Sequence, residues 1–221
     1  VEVIDDYPSR FSAYTRRKHR WVRGDWQIMR WLFARVPDYH GRKVRNPLTV
    51  ISRWKILDNL RRSLVETATF VLLLAGWFFL PGGPVHWTVA TLVLMLIPTY
   101  VQAAMALVQV PRVENVRGFL RDTWDGFVEE QVGVFLMLAF LAHQTLVTLD
   151  AIVRTIIRLT VTHRRLLEWE TAAQAEMLAR KSAVDVYLDW MPWVSLMISV
   201  PLAILRPRAL PVAAPILILW G

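Results

Sequence analysis

Two long apolar runs, residues 64–80 and 85–110, constrain this chain more than any other feature. Each reaches the roughly 17–25 residues that a helix needs to cross a hydrocarbon core, the first run only at the lower limit. Leu, Ile, Phe and Val each favour insertion by roughly 0.3–0.6 kcal/mol. The connector PGGPVHW at 81–87 carries no Lys or Arg, which puts it on the far side under the positive-inside rule. A transmembrane hairpin over 64–110 is the expectation. Composition agrees: apolar residues make up 55% of the chain and there are 11 tryptophans, a balance that points to a membrane protein with interfacial anchoring.

Charge is confined to one end. Residues 1–63 hold 15 Lys/Arg against 6 Asp/Glu, whereas the remainder holds 11 against 12. The basic end is therefore expected on the cytoplasmic side. The chain has no cysteine, so a disulfide framework and a thiolate metal site are both excluded. No charged n-region with a short apolar core opens the sequence, which begins VEVIDDYPSRF and ends in the apolar PILILWG. That apolar tail is too short to span, so the chain reads as a piece of a longer protein.

The coarse organisation follows. Residues 1–47 are polar, basic and aromatic, with a short strand at the start, then a helix-spaced pattern from Ala13 to Val36 (Trp21, Trp26, Ile28, Met29, Leu32, Phe33). Asn46-Pro47 marks a loop. Residues 48–63, LTVISRWKILDNLRRS, alternate apolar and basic residues as an amphipathic helix lying on a membrane surface does. Residues 111–190 are expected as interfacial or cytoplasmic helices. Within them 132–149 is apolar enough to dip in and return, or just to span. Asp150, Arg154 and Arg158, four apart on one helical face, each cost about 2.5–3.5 kcal/mol near a bilayer centre, which favours the re-entrant form. Residues 191–221 read as a second, truncated transmembrane hairpin.

The basic end concentrates its chemistry in RRKHRWVRGDWQI, residues 16–28, with five cationic side chains and two tryptophans in thirteen positions. Such a cluster is a topology signal, a nucleic-acid arm or a sugar-nucleotide site. Arginines and aromatics do interleave in single-strand binders, but no nucleic-acid recognition fold is visible and nucleic acid is not an expected partner. The spacing supports the third reading. Arg17 and Arg20 are three apart and share a helical face, and two guanidinium forks on one face suit a pyrophosphate. Trp21 beside them is a flat apolar platform for a sugar ring.

RxxRW followed by VRGDWQI resembles the (Q/R)xxRW helix of processive membrane glycosyltransferases of the cellulose-synthase type. Three segments, DDYPSRFSAYTRRKHRWVRGDWQI, NPLTVISRWKILDNLRRSLV and HRRLLEWETAAQAE, are closer still to cyclic β-1,2-glucan synthases, the family 84-type processive enzymes. The resemblance runs through nearly the whole chain. It implies a mainly α membrane protein in which the C-terminal edge of a GT-A-like α/β glycosyltransferase domain leads into interfacial helices and two transmembrane hairpins. It also implies an inverting transfer of glucose from UDP-glucose to a growing β-1,2-glucan at a bacterial inner membrane, with residues 1–63 on the cytoplasmic side. A cytosolic phosphorylase-like domain would belong to the same full-length chain. By the family's pattern Arg17 and Arg20 face the donor diphosphate, Trp21 stacks on the acceptor glucan, and Asp25, Trp26 and Gln27 continue the supporting helix. Arg17 stands where cellulose synthases carry Gln.

The resemblance further implies a divalent metal, Mg or Mn, held by an Asp-x-Asp pair, and an acidic catalytic base. Both are expected upstream of Val1, so that this piece alone is inactive. Asp5 and Asp6 are read as a loop-forming acidic pair, His143 as a packed histidine and Glu129-Glu130 as a solvated helix face. The rival from another class is a non-enzymatic membrane scaffold or transporter subunit with a basic cytoplasmic anchor.

Overall fold

Helix formation follows the apolar spacing. In the computed structural model, which describes residues 10–38, 40–109, 115–162 and 186–221, helix accounts for 85% of the structure, which makes the fold mainly α. The strand expected at the start, Asp5, Asp6 and most of the basic segment after Thr162 lie outside the described residues.

Helix α1, Phe11–Gln27, forms because Thr15, His19 and Val22 recur one and two turns apart and bury a single stripe. It is shorter than the spacing predicts. A 3₁₀ turn, Ile28–Leu32, closes it, and residues 35–37 leave the helix to form β1, Arg35–Pro37. The cause lies downstream. Asn46 Nδ2 donates to the carbonyls of Trp31 at 2.7 Å and Phe33 at 2.8 Å, taking up acceptors that a continuing helix would use. β1 pairs antiparallel with β2, Lys43–Arg45, with Val36 opposite Val44. The turn between them is held by the Asp38 carboxylate, which accepts from the backbone N–H of His40 and Arg42. This hairpin is the sheet seen among the described residues; the expected α/β domain edge extends no further within them.

Helix α2, Val50–Ser63, is capped by Thr49, whose hydroxyl accepts from the Ser52 N–H at 3.2 Å. Val50, Ile51, Trp54 and Leu57 are exposed along one side, and Leu60 is buried, as an amphipathic surface helix requires. Leu64 separates α2 from α3, Val65–Phe78. At 14 residues, α3 rises about 21 Å, less than the roughly 30 Å core expected for a span over 64–80. Gly82 and Gly83, with φ of +92° and +85°, make the reversal that only glycine adopts without strain. Helix α4, Gly83–Gln109, follows with Pro98 inside it.

Asn115 caps α5, Val116–Ala139, by accepting from the Gly118 N–H. The ladder breaks at Phe140, and α6, Leu141–Ile157, begins beyond it, ending in a π turn, Arg158–Thr162. The apolar stretch 132–149 is therefore divided between two helices, with the composition of a broken span or a re-entrant segment. The described chain closes with α7, Val186–Asp189, α8, Met191–Leu205, and α9, Leu210–Trp220. Among the described residues, Gly83–Val108 and Val186–Leu205 are long and apolar enough to cross a membrane.

The chain divides into two units, one of Val1–Ala68 with His143–Trp190, the other of Thr69–Ala142 with Met191–Gly221. The first has a core of Val22, Ala151 and Ile152, packed by Trp26 and Ile156. In the second, Trp77 and Trp220 are buried with ring centroids 6.0 Å apart. Both indole N–H groups are satisfied, Trp77 by Thr88 Oγ1 at 2.9 Å and Trp220 by the Leu138 carbonyl at 2.9 Å, as buried tryptophans require.

Candidate functional site

In the first unit α1 packs against α2, and its Val22 joins Ala151 and Ile152 of α6 in an apolar cluster. This fixes where each residue of the RxxRW motif points. Trp21 is 55% exposed. The Arg17 guanidinium carbon stands 4.4 Å from its ring centroid, a cation–π contact within one turn of α1.

Trp21 is also on the wall of a cavity of about 690 Å³, in the size range of small-molecule sites. From α1 the cavity takes Lys18, Arg20, Trp21, Val22, Gly24 and Asp25; from α2 it takes Asn59, Arg62 and Ser63. A Cβ at Gly24 would meet nothing within 4 Å, so that side of the cavity is open. Asn59 Nδ2 donates to Asp25 Oδ1 at 3.3 Å. Arg62 donates to Asn59 Oδ1 at 2.6 Å and pairs with Asp58 at 3.2 Å. Lys18 Nζ lies 2.5 Å from each Glu66 oxygen. Burial raises the Asp25 carboxyl above its ordinary range, opposed by the Asn59 hydrogen bond and the Arg62 charge. An exposed indole edged by planar amide, carboxyl and guanidinium groups can stack a sugar ring and bond its hydroxyls in the same plane.

The residues singled out from sequence separate into two groups. Arg20, Trp21 and Asp25 share the cavity wall, while Arg17 lies over the Trp21 ring. Trp26 turns inward, donating to Ser63 Oγ at 3.1 Å and packing on the Val22 cluster, so it holds α1 to α2. Gln27 is the last residue of α1. His143 is buried and packs against Phe11, ring centroids 5.3 Å apart. Glu129 is exposed.

Sequence reasoning missed the contribution of Asn59, Arg62 and Ser63. Their helix reads as an amphipathic one lying on a membrane surface, and nothing in its pattern marks which turn meets α1. It also missed the partner of Asp150. His19 is buried in α1, its Nε2 2.9 Å from Asp150 Oδ2, and Asp150 Oδ1 accepts from Arg154 Nε at 2.6 Å. Burial lowers the His19 pKa, against the pull of Asp150, so the neutral imidazole donates its Nε2–H to the carboxylate. Arg30 donates to the Leu159 carbonyl at 2.5 Å, within the π turn.

Among the described residues no three His, Asp or Glu side chains stand together as a metal site.

No family model matches the chain. It is 29% identical over 228 aligned positions to the cyclic β-(1,2)-glucan synthase NdvB of Rhizobium meliloti (strain 1021). The alignment takes in the whole of this chain and 8% of that protein, so the chain spans about one twelfth of its relative's length. The resemblance to cyclic β-1,2-glucan synthases is thus borne out along the entire sequence.

Proposed function

We propose that this chain is the acceptor-side and membrane-anchoring part of a glycosyltransferase that builds β-1,2-glucan from UDP-glucose. The observation that carries the reading is the similarity to a cyclic β-(1,2)-glucan synthase along the full chain. Trp21, exposed on the wall of a cavity that also holds Arg20 and Asp25, supports it.

In this reading the acceptor's terminal glucosyl unit stacks on Trp21. Its 2-hydroxyl oxygen attacks the anomeric carbon of UDP-glucose with inversion, the bond to the diphosphate breaks, and the hydroxyl proton passes to a carboxylate base. Arg20 and Arg17 supply positive charge where the leaving diphosphate develops negative charge, a use to which preorganised guanidinium donors are suited. Trp21 holds the nucleophile in line, which accounts for much of the rate in a two-substrate transfer. The base, the Mg or Mn ion, the rest of the nucleotide-binding domain and a phosphorylase-like domain are assigned to other parts of a longer protein. The location assigned is the bacterial inner membrane, with residues 1–63 cytoplasmic.

The test is Trp21→Ala in the full-length protein. Loss of glucan synthesis with normal membrane insertion supports the reading. Unchanged synthesis instead favours a membrane anchor that has no part in catalysis.

A further inference from the structure

We propose that His19 is a positioning residue: by pairing with Asp150 it fixes the rotation of α1, and so the aim of Arg20 and Trp21. The inference rests on the glycosyltransferase reading above.

Lys18 and His19 are consecutive, yet they reach different elements. Lys18 pairs with Glu66 at the start of α3, and His19 pairs with Asp150 in α6. Successive helical residues project about 100° apart, so these two ties act on α1 from different sides. A helix tied at one point can turn about its axis; tied at two such points it cannot without breaking the Lys18–Glu66 ion pair or the His19–Asp150 hydrogen bond. Both ties immediately precede Arg20 and Trp21, where a rotation would swing the indole off the cavity.

The Asp150 end is itself fixed. Its second oxygen accepts from Arg154, and Tyr187 of α7 also bonds to it. The groups facing the imidazole are Asp150 and Arg154 from α6, and Arg23 from its own helix. A second proton on the ring would meet both guanidinium groups, so a neutral donor suits the site. Burying a polar pair here costs desolvation that an apolar residue would avoid. The adjacent cluster of Val22, Ala151 and Ile152 offers ready apolar packing. What the pair adds is direction, since a hydrogen bond has a preferred angle and apolar contact has none.

The experiment uses the full-length protein in membranes, comparing H19A, H19Q, D150N and W21A for kcat, for KM of UDP-glucose and for membrane level. Removing the tie is expected to lower kcat roughly 10- to 100-fold, the scale of a misplacement near 1 Å, with a rise in KM for UDP-glucose, through Arg20, several-fold smaller than the loss of kcat. H19Q, whose amide N–H reaches the same carboxylate, should recover most of the rate. If H19A fails to accumulate, D150N preserves the volume and weakens the pair, and its kcat then decides between the outcomes. Wild-type kcat in H19A or D150N, with W21A inactive, overturns the inference and leaves the glycosyltransferase reading standing. Equal loss in H19A and H19Q at normal levels also overturns it, because the hydrogen bond is then not what matters. Unchanged synthesis in W21A overturns both.

Discussion

Arg17 and Trp21 are a single unit: the guanidinium carbon stands 4.4 Å from the indole centroid, one turn below it on α1. The cation lies on one side of an indole that is still more than half exposed. In the proposed reaction the cation that faces the donor also props the acceptor platform. Arg17→Ala is therefore expected to raise KM for both UDP-glucose and the acceptor glucan. The acceptor change should be about two- to fivefold, the worth of a cation–π contact near 0.5–1 kcal/mol. Arg17→Lys keeps the charge but loses the flat fork that suits both the diphosphate and the stacked ring, so neither KM should return fully to the native value. Steady-state kinetics with each substrate varied in turn separates these outcomes; recovery of both constants in the lysine variant would count against the shared role.

His19 makes stability depend on pH with a definite sign. Burial holds its pKa below 6.5 despite Asp150. Above that value the imidazole is neutral in folded and unfolded chains alike, and its contribution is complete. As pH falls below 6.5, the unfolded chain takes up a proton that the folded site resists, so stability declines until the folded pKa is passed. The unfolding midpoint of the detergent-solubilised protein should fall between pH 7 and pH 5. Most of that slope should vanish in H19Q, and an equal slope in the variant would assign the effect to other groups.

Asp25 has the opposite balance. Burial, ahead of the Asn59 bond and the Arg62 charge, raises its carboxyl above 3.8, so at neutral pH its ionised form costs the fold stability. Acidification through the folded pKa relieves that cost. Asp25→Asn removes the charge and keeps an oxygen for the Asn59 amide. The unfolding midpoint at pH 7 should be unchanged or higher than in the native protein, with the gain lost near pH 4. A lower midpoint at pH 7 would mean that the Asp25 charge stabilises a neighbour, contrary to the burial argument.

These effects trace how far the sequence itself could be read. The apolar runs and the RxxRW spacing are local patterns, so the helix carrying Arg17, Arg20 and Trp21, and the long apolar α4, were legible from residues alone. The end of α1 was not, because it is decided by Asn46, whose amide reaches back to Trp31 and Phe33. The cavity was half legible. Arg20 and Trp21 announce themselves, but Asn59 and Ser63 enter through packing between helices more than thirty residues apart, and no period in α2 selects that turn. Asp150 could be seen as an expensive charge beside Arg154. Its pairing with His19, 131 positions away in the chain, is a tertiary fact with no local trace.

The apolar unit makes a prediction independent of catalysis. A Cβ added at Gly76 would collide with the Cβ of Trp87, backbone-adjacent atoms that cannot swing aside as a side-chain tip can. Small residues permit close approach of this kind between membrane helices. Gly76→Ala is expected to destabilise by about 1–3 kcal/mol, the usual cost of overpacking. Gly24 supplies the contrast, since a Cβ there meets nothing within 4 Å. In an exposed helical position Gly24→Ala should gain roughly 0.5–1 kcal/mol from helix propensity. Thermal unfolding of the two variants in one detergent should therefore move the midpoint in opposite directions. If Gly76→Ala matched Gly24→Ala in sign, the α3–α4 contact would have to be looser than the Trp87 position requires.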